Sequence, residues 1–135
     1  MTDFRVLVTS SRSWDKRAAI WTALDIIATA ALESGYDRVV LVHGACPTGG
    51  DAHADAWYRA KRGEMPLGVE RHPANWDLFG NLAGHIRNAD MIRSDIDVCL
   101  AAIRNRSKGA SKCAEWADGA GITVQLLDYD SVGEL

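Results

Sequence analysis

Long apolar runs, paired cysteines and an excess of positive charge are all missing from this chain, and each absence closes off a class of function. No stretch approaches the roughly 20 consecutive apolar residues that a membrane-crossing helix needs, and the N-terminus has no charged-then-apolar leader pattern. The chain is therefore expected in the cytoplasm, away from membranes. Cys46, Cys99 and Cys113 are odd in number and widely spaced, which indicates neither a disulfide framework nor a zinc knuckle. With 15 Lys and Arg against 18 Asp and Glu, the formal charge is -3. A protein that coats nucleic acid shows a basic face instead, so nucleic acid is not expected as a partner. No repeat, low-complexity run or linker divides the 135 residues, whose 47% hydrophobic and 24% charged content fits one domain around one core.

What is present is an alternation of short apolar runs with helical periodicity. Strands are expected at about 4–9, 38–43, 67–71, 96–101 and 122–127, with helices at about 16–33, 50–62, 80–92 and 109–119. Ile20, Leu24, Ile27, Ala28 and Ala31 recur at helical spacing in the first helix, and Gly35 lies just past its end. Strand–helix–strand repetition of this kind builds an α/β domain, a doubly wound sheet of about five mostly parallel strands with helices on both faces.

In such a sheet the loops at the carboxyl ends of the strands share one edge, and ligands sit where the strand order reverses. Those loops carry the polar residues. The first strand empties into Ser10, Ser11 and Arg12; the second runs through His43 into Gly44, Ala45, Cys46, Pro47, Thr48, Gly49, Gly50 and Asp51; the fourth runs into Arg104, Arg106, Ser107, Lys108, Gly109, Ala110 and Ser111. Arg87 and Asn88 stand in the helix before it. Bare amide groups at a Gly-rich turn and helix start attract phosphate and other anions. The Ser107–Ser111 helix start carries no acid and has Arg104, Arg106, Lys108 and Lys112 around it, so an anion is expected there. Asp51 would repel phosphate at its own helix start and is expected to cap that helix or accept from a ribose hydroxyl. A β-branched residue at Gly50 is expected to block a ligand's approach and spare the fold.

Other residues weigh less. Trp14 and Trp76 stand near the cleft, where a ring either packs into the protein or stacks a base. His43 ends an apolar strand and is expected to be a satisfied near-core residue, with His72 and His85 bordering the cleft. Asp51, His53 and Asp55 look like metal ligands, yet His53 points off the face that the two acids share at i, i+4, and no metal is expected.

The series Ser10–Trp14, Gly44–Asp51 with Ala54 and Trp57, Trp76, Gly80, Ala83-Gly84, Arg87–Met91 and Ser107–Ala110 resembles the SLOG superfamily, and most closely its YspA-related branch. The resemblance implies a Rossmann-like domain that binds a nucleotide or nucleotide-derived small molecule, and it implies a homodimer or higher homo-oligomer. Two departures stand out: Gly49-Gly50-Asp51 replaces Gly-Ala-Asp, and Gly109-Ala110 replaces Gly-Thr. In the related cytokinin-activating phosphoribohydrolases two acids help cleave an N-glycosidic bond, and here Lys112 and Cys113 occupy their positions. Arg87 through Met91 keeps the arginine but not the carboxylates that such chemistry uses. The expected function is sensing or sequestering a nucleotide-derived ligand. The alternative is an enzyme that cleaves an N-glycosidic or phosphate bond with Arg87, Asp51 or Asp90.

Overall fold

The computed structural model describes residues 2–130. In it β1 (Asp3–Ser10), β2 (Arg38–His43), β3 (Leu67–Arg71), β4 (Val98–Arg104) and β5 (Thr123–Tyr129) form one sheet in the order β3-β2-β1-β4-β5. Every neighbouring pair is parallel, as expected for a Rossmann-like fold. The helical elements are α1 (Arg17–Glu33), α2 (Gly49–Lys61), a single turn α3 (Trp76–Phe79), a 3₁₀ turn (Gly80–Leu82), α4 (Ala83–Ile92) and α5 (Lys108–Gly119).

Helices cover both faces because the sheet is apolar on both, the pattern that parallel strands require. Val6, Val8, Val39, Leu41 and Leu100 point one way and pack with Ile20, Leu24 and Ile27 of α1 and Ala54 and Trp57 of α2. Leu7, Val40, Val42, Cys99 and Ala101 point the other way, onto Met91 of α4 and Ala110, Cys113 and Ala117 of α5. In α1 the buried set Ile20, Ala23, Leu24, Ile27, Ala28 and Ala31 follows the i, i+3, i+4, i+7 rule. Trp57 is buried with its indole N–H donating to Asp25 Oδ1 at 2.8 Å, which fixes α2 to α1.

Two expected boundaries move. The helix expected over 80–92 breaks: Asn75 accepts the Leu78 N–H at 3.0 Å to start α3, and Gly80 at φ 56° stops it before α4 begins at Ala83. Only glycine adopts that backbone without strain. The fourth strand starts later and runs longer than 96–101, because Asp95 sits at φ 60° ahead of it and pairing with β5 continues to Arg104 opposite Tyr129.

The strand order reverses at β1. The chain builds outward to β2 and β3, then crosses back to place β4 and β5 on the other side, so the loops after β1 and β4 diverge and leave a crevice. At the opposite end Arg5 closes the sheet, donating to both carboxylate oxygens of Glu70 and, through Nε, to the Ser94 carbonyl at 2.8 Å.

The Arg5 hydrogen bonds hold the Glu70 carboxyl down at about 2, against an ordinary value of 4.5. A depressed carboxyl contributes stability that is present above its unfolded value and is lost as pH falls through its folded one. Urea midpoints measured from pH 6 to pH 2 should therefore drop between about 4.5 and about 2, and Glu70→Gln should flatten that part of the profile. An equal acid response in the variant would show that the pair contributes nothing.

Candidate functional site

At the carboxyl ends of β1, β2 and β4 lies a cavity of about 460 Å³. Its wall is made of Thr9, Ser10, Ser11, Arg12 and Ser13 after β1, Gly44, Cys46 and Asp51 around the β2–α2 turn, Gly84, Arg87, Asn88 and Met91 on α4, and Ser107, Gly109 and Ala110 at the start of α5. The three loops that the sequence sets at one edge thus meet around one space.

The two serines of the β1 tip serve the fold as well as the wall. Ser11 is buried; its hydroxyl accepts the Arg104 N–H at 2.8 Å and donates to the Arg104 carbonyl, joining the ends of β1 and β4. Ser10 Oγ accepts the Gly50 N–H at 2.6 Å and donates to the Ser11 carbonyl. The α2 N-terminus is therefore capped from β1. Any side chain at Gly50 would overlap Ser10, and one at Gly49, which has φ +73°, would overlap the Ser11 carbonyl. Both glycines allow helix and strand tip to touch, and neither faces the cavity. Gly49 and Gly50, expected to meet a ligand, fall outside the cavity wall, and the partner that needs their bare backbone is β1.

Asp51, in the first turn of α2, is only 7% exposed yet forms part of the wall. Its Oδ2 accepts the Cys46 N–H at 3.2 Å, so it pins the turn rather than capping its own helix. Burial pushes its carboxyl above the usual carboxylate range, although His43 and Arg87 pull the other way. Among the described residues it is the sole carboxyl in the cavity wall.

Arg87 crosses the cavity floor. Its Nη1 donates to the carbonyls of Gly44 and His72 and its Nε donates to Asn88 Oδ1 at 2.7 Å, while it makes no ion pair among the described residues. A Cβ at Gly44 would overlap that guanidinium, so this glycine exists for Arg87. Asp90 does not join it. The inward face of α4 is the i, i+3, i+4, i+7 set Gly84, Arg87, Asn88 and Met91; Asp90 falls off that face, is exposed, and lines a shallow hollow on the outer side.

The start of α5 differs from that of α2. Ser107 makes no side-chain cap and the first turn holds no acid; among the described residues no side chain caps that turn, and its Gly109 and Ala110 line the cavity. The cations expected around it are directed elsewhere: Arg104 donates to the Ser13 carbonyl at 3.0 Å and lies over Tyr129, Arg106 pairs with Asp130, and Lys112 lies over Trp116. Lys108 is exposed, and it and Ser111 fall outside the wall. Cys113 is fully buried and burial raises its thiol, which rules it out as a ready nucleophile.

Arg12 and Trp76 form the rim. The guanidinium sits 5.5 Å from the ring centroid of Trp76, which is 48% exposed and passes beside Gly84. Trp14 goes the other way: it is 3% exposed, donates to the Lys16 carbonyl and packs edge-on to Tyr129, so it stacks no ligand. His43 is buried as expected, its Nδ1 accepting the Ala45 N–H at 2.9 Å and its Nε2 meeting Asp55 Oδ1 at 2.8 Å. Among the described residues no group of three or more His, Cys, Asp or Glu is placed to hold a metal ion. Asn81 was not singled out by the sequence. Counting seven residues back and four forward from Arg87 finds Gly80 and Met91, but nothing marks Asn81, which reaches the wall through the 3₁₀ turn.

A family model described as the YspA, cpYpsA-related SLOG family matches residues 4–79, from β1 through α3. The chain belongs to this family. Over 121 residues it is 42% identical to the Gene 61 protein of Mycobacterium phage D29, spanning 89% of this chain and 93% of that protein. No solved structure matches. The family segment holds Ser10–Arg12, Gly44–Asp51 and Trp76; Arg87 and the α5 start lie beyond it. No described helix is long and apolar enough to cross a membrane.

Two substitutions separate structural from wall residues here. Gly50→Val should lose folded protein outright, by thermal melt and yield, because its side chain has Ser10 in its way. Asp51→Asn should raise stability at neutral pH: a carboxyl whose folded value is raised costs stability as pH climbs from its unfolded through its folded value. The variant's advantage should shrink in acid, and a neutral or negative effect at pH 7 would show that the Cys46 contact outweighs burial.

Proposed function

We propose that this cavity binds, and does not cleave, a nucleotide or nucleotide-derived small molecule. The observation that carries the proposal is the pairing of two unmet positive features on one wall, the uncapped amide end of α5 and the half-buried Arg87 without an acidic partner. A helix N-terminus and a guanidinium both favour an anion, and a site with little water strengthens them. The phosphate belongs at Gly109 and Ala110. Asp51, on the opposite flank of the β1 tip, accepts from a ribose hydroxyl. Trp76, half-exposed on the rim under Arg12, offers the face on which a base stacks.

Cleavage by a pair of carboxyl groups has little support in this wall. Such hydrolysis uses one acid on the leaving group and a second at the sugar carbon or its water. Asp90 lies outside the cavity and Asp51 stands alone in it. The ligand class points to the cytoplasm as the compartment.

Titration calorimetry with matched nucleoside and nucleotide tests the arrangement. A charge-assisted contact is worth about 1.5–3 kcal/mol, so Gly109→Asp should weaken the nucleotide by roughly ten- to a hundredfold and leave the nucleoside nearly unchanged. Gly109 has open space around it, so the variant folds. Lys108→Ala, outside the wall, should change little, and Asp51→Asn should penalise nucleoside and nucleotide alike. Equal loss of both ligands in Gly109→Asp places the phosphate elsewhere, and products seen by mass spectrometry after incubation with a nucleotide panel would overturn binding without cleavage.

A further inference from the structure

Between β3 and α4 the chain runs along the rim of the cavity on a segment that is hardly packed at all. Every other α-helix buries at least two residues, whereas no residue of α3 or of the 3₁₀ turn after it is buried. Yet the segment is not polar. Trp76, Leu78, Phe79 and Leu82 are 48%, 69%, 42% and 64% exposed, four of the six large apolar side chains left on the described surface. Apolar groups gathered in this way leave water only when the segment carrying them changes its place or its neighbours.

The ends of the segment are fixed and its middle is not. The His72 amide donates to the His43 carbonyl at 2.9 Å, the His72 carbonyl accepts from Arg87, and Ala83, which opens α4, is buried. Between these anchors the hydrogen bonds are local: the Leu78 and Phe79 amides both donate to Asn75. Gly80 joins α3 to the 3₁₀ turn at φ 56°, with nothing within 4 Å of where a Cβ would stand. It can serve as a swivel. Few buried apolar contacts and a solvent-facing backbone make for low local stability, and lids are drawn from such segments.

The same segment reaches the site. Trp76 and Asn81 stand in the cavity wall, and Arg12, from the loop after β1, lies over the Trp76 ring at 5.5 Å from its centroid. Phe79, three residues on, shares a side of α3 with Trp76 but falls outside the wall. We propose that residues 73–82 are a lid, which swings about His72 and Gly80 to lay Trp76 and Phe79 over a bound nucleotide while Arg12 latches Trp76 from the opposite lip. Closure takes both rings out of water, and that burial offsets the loss of chain freedom. The lid rests on the reading of this cavity as a nucleotide site.

Hydrogen exchange read by mass spectrometry on the full chain tests it, with AMP, GMP, CMP and UMP in turn as probes and calorimetry to report binding. Without nucleotide the amides of 76–82 should exchange about a hundredfold faster than those of 86–92 in α4, and a bound nucleotide should raise their protection about tenfold. Phe79→Ser should keep the thermal melt, since Phe79 is not buried, and should weaken the nucleotide about tenfold through the burial lost on closure. Ile26→Ser, also exposed but on α1, should change neither. A segment as protected as α4 before nucleotide is added, heat of binding with no gain in protection, or full affinity in Phe79→Ser overturns the lid and leaves the ligand reading standing. No heat with any of the nucleotides removes the ligand reading, and the lid with it.

Discussion

The hydrogen bond from the Gly50 amide to the Ser10 hydroxyl, 2.6 Å long, ties the start of α2 to the tip of the central strand and exists because neither Gly49 nor Gly50 carries a Cβ. From that seam the rest of the carboxyl edge follows. With α2 drawn onto β1, Asp51 is carried under the β2–α2 turn, where it takes the Cys46 amide. The turn then presents Gly44, over which Arg87 can reach. The same bond uses the α2 amide that would otherwise greet an anion. Of the two helix starts flanking β1, α2 has its Gly50 amide taken by Ser10, whereas Ser107 makes no side-chain cap at α5.

Much of this was legible in the chain. Four apolar residues in a row at Val39–Val42 read as a strand buried on both faces, and α1 announced itself by its spacing. Strand order was inferable in outline, since alternation forces parallel pairing and a reversal somewhere. The glycines were legible as places where backbone must be approached closely, but not as to what approaches. A ligand phosphate and the Ser10 side chain impose the same requirement on Gly50, and they differ only in the folded chain.

Long-range partners explain the other misplacements. Trp14 packs edge-on against Tyr129 from the far end of the chain and is buried, whereas Trp76, in the short turn α3 after the edge strand β3, stays half-exposed on the rim. The cations at 104 to 112 look like one anion trap in one dimension. In three, Ser13, Tyr129, Asp130 and Trp116 claim Arg104, Arg106 and Lys112, and the positive character of the cavity comes instead from backbone amides and from Arg87 on another helix. Only the Lys112–Trp116 contact, at i, i+4, had a local signal.

Stability and function pull apart most visibly at Asp51. Burial disfavours its charge, and an amide side chain would accept the same Cys46 N–H at lower cost. A residue that breaks a local rule without a structural gain points to a function. Arg87 is its counterpart: a half-buried cation whose partners are carbonyls and an amide oxygen, with no acid to balance it. Each is incompletely satisfied by the protein alone, and they share one wall. Their mutual attraction is already felt, since Arg87 opposes the rise in the Asp51 carboxyl, yet no ion pair joins them. A molecule that brought hydroxyls to the one and negative charge to the other would complete both at once, and a ribose phosphate carries those two groups within one small sugar.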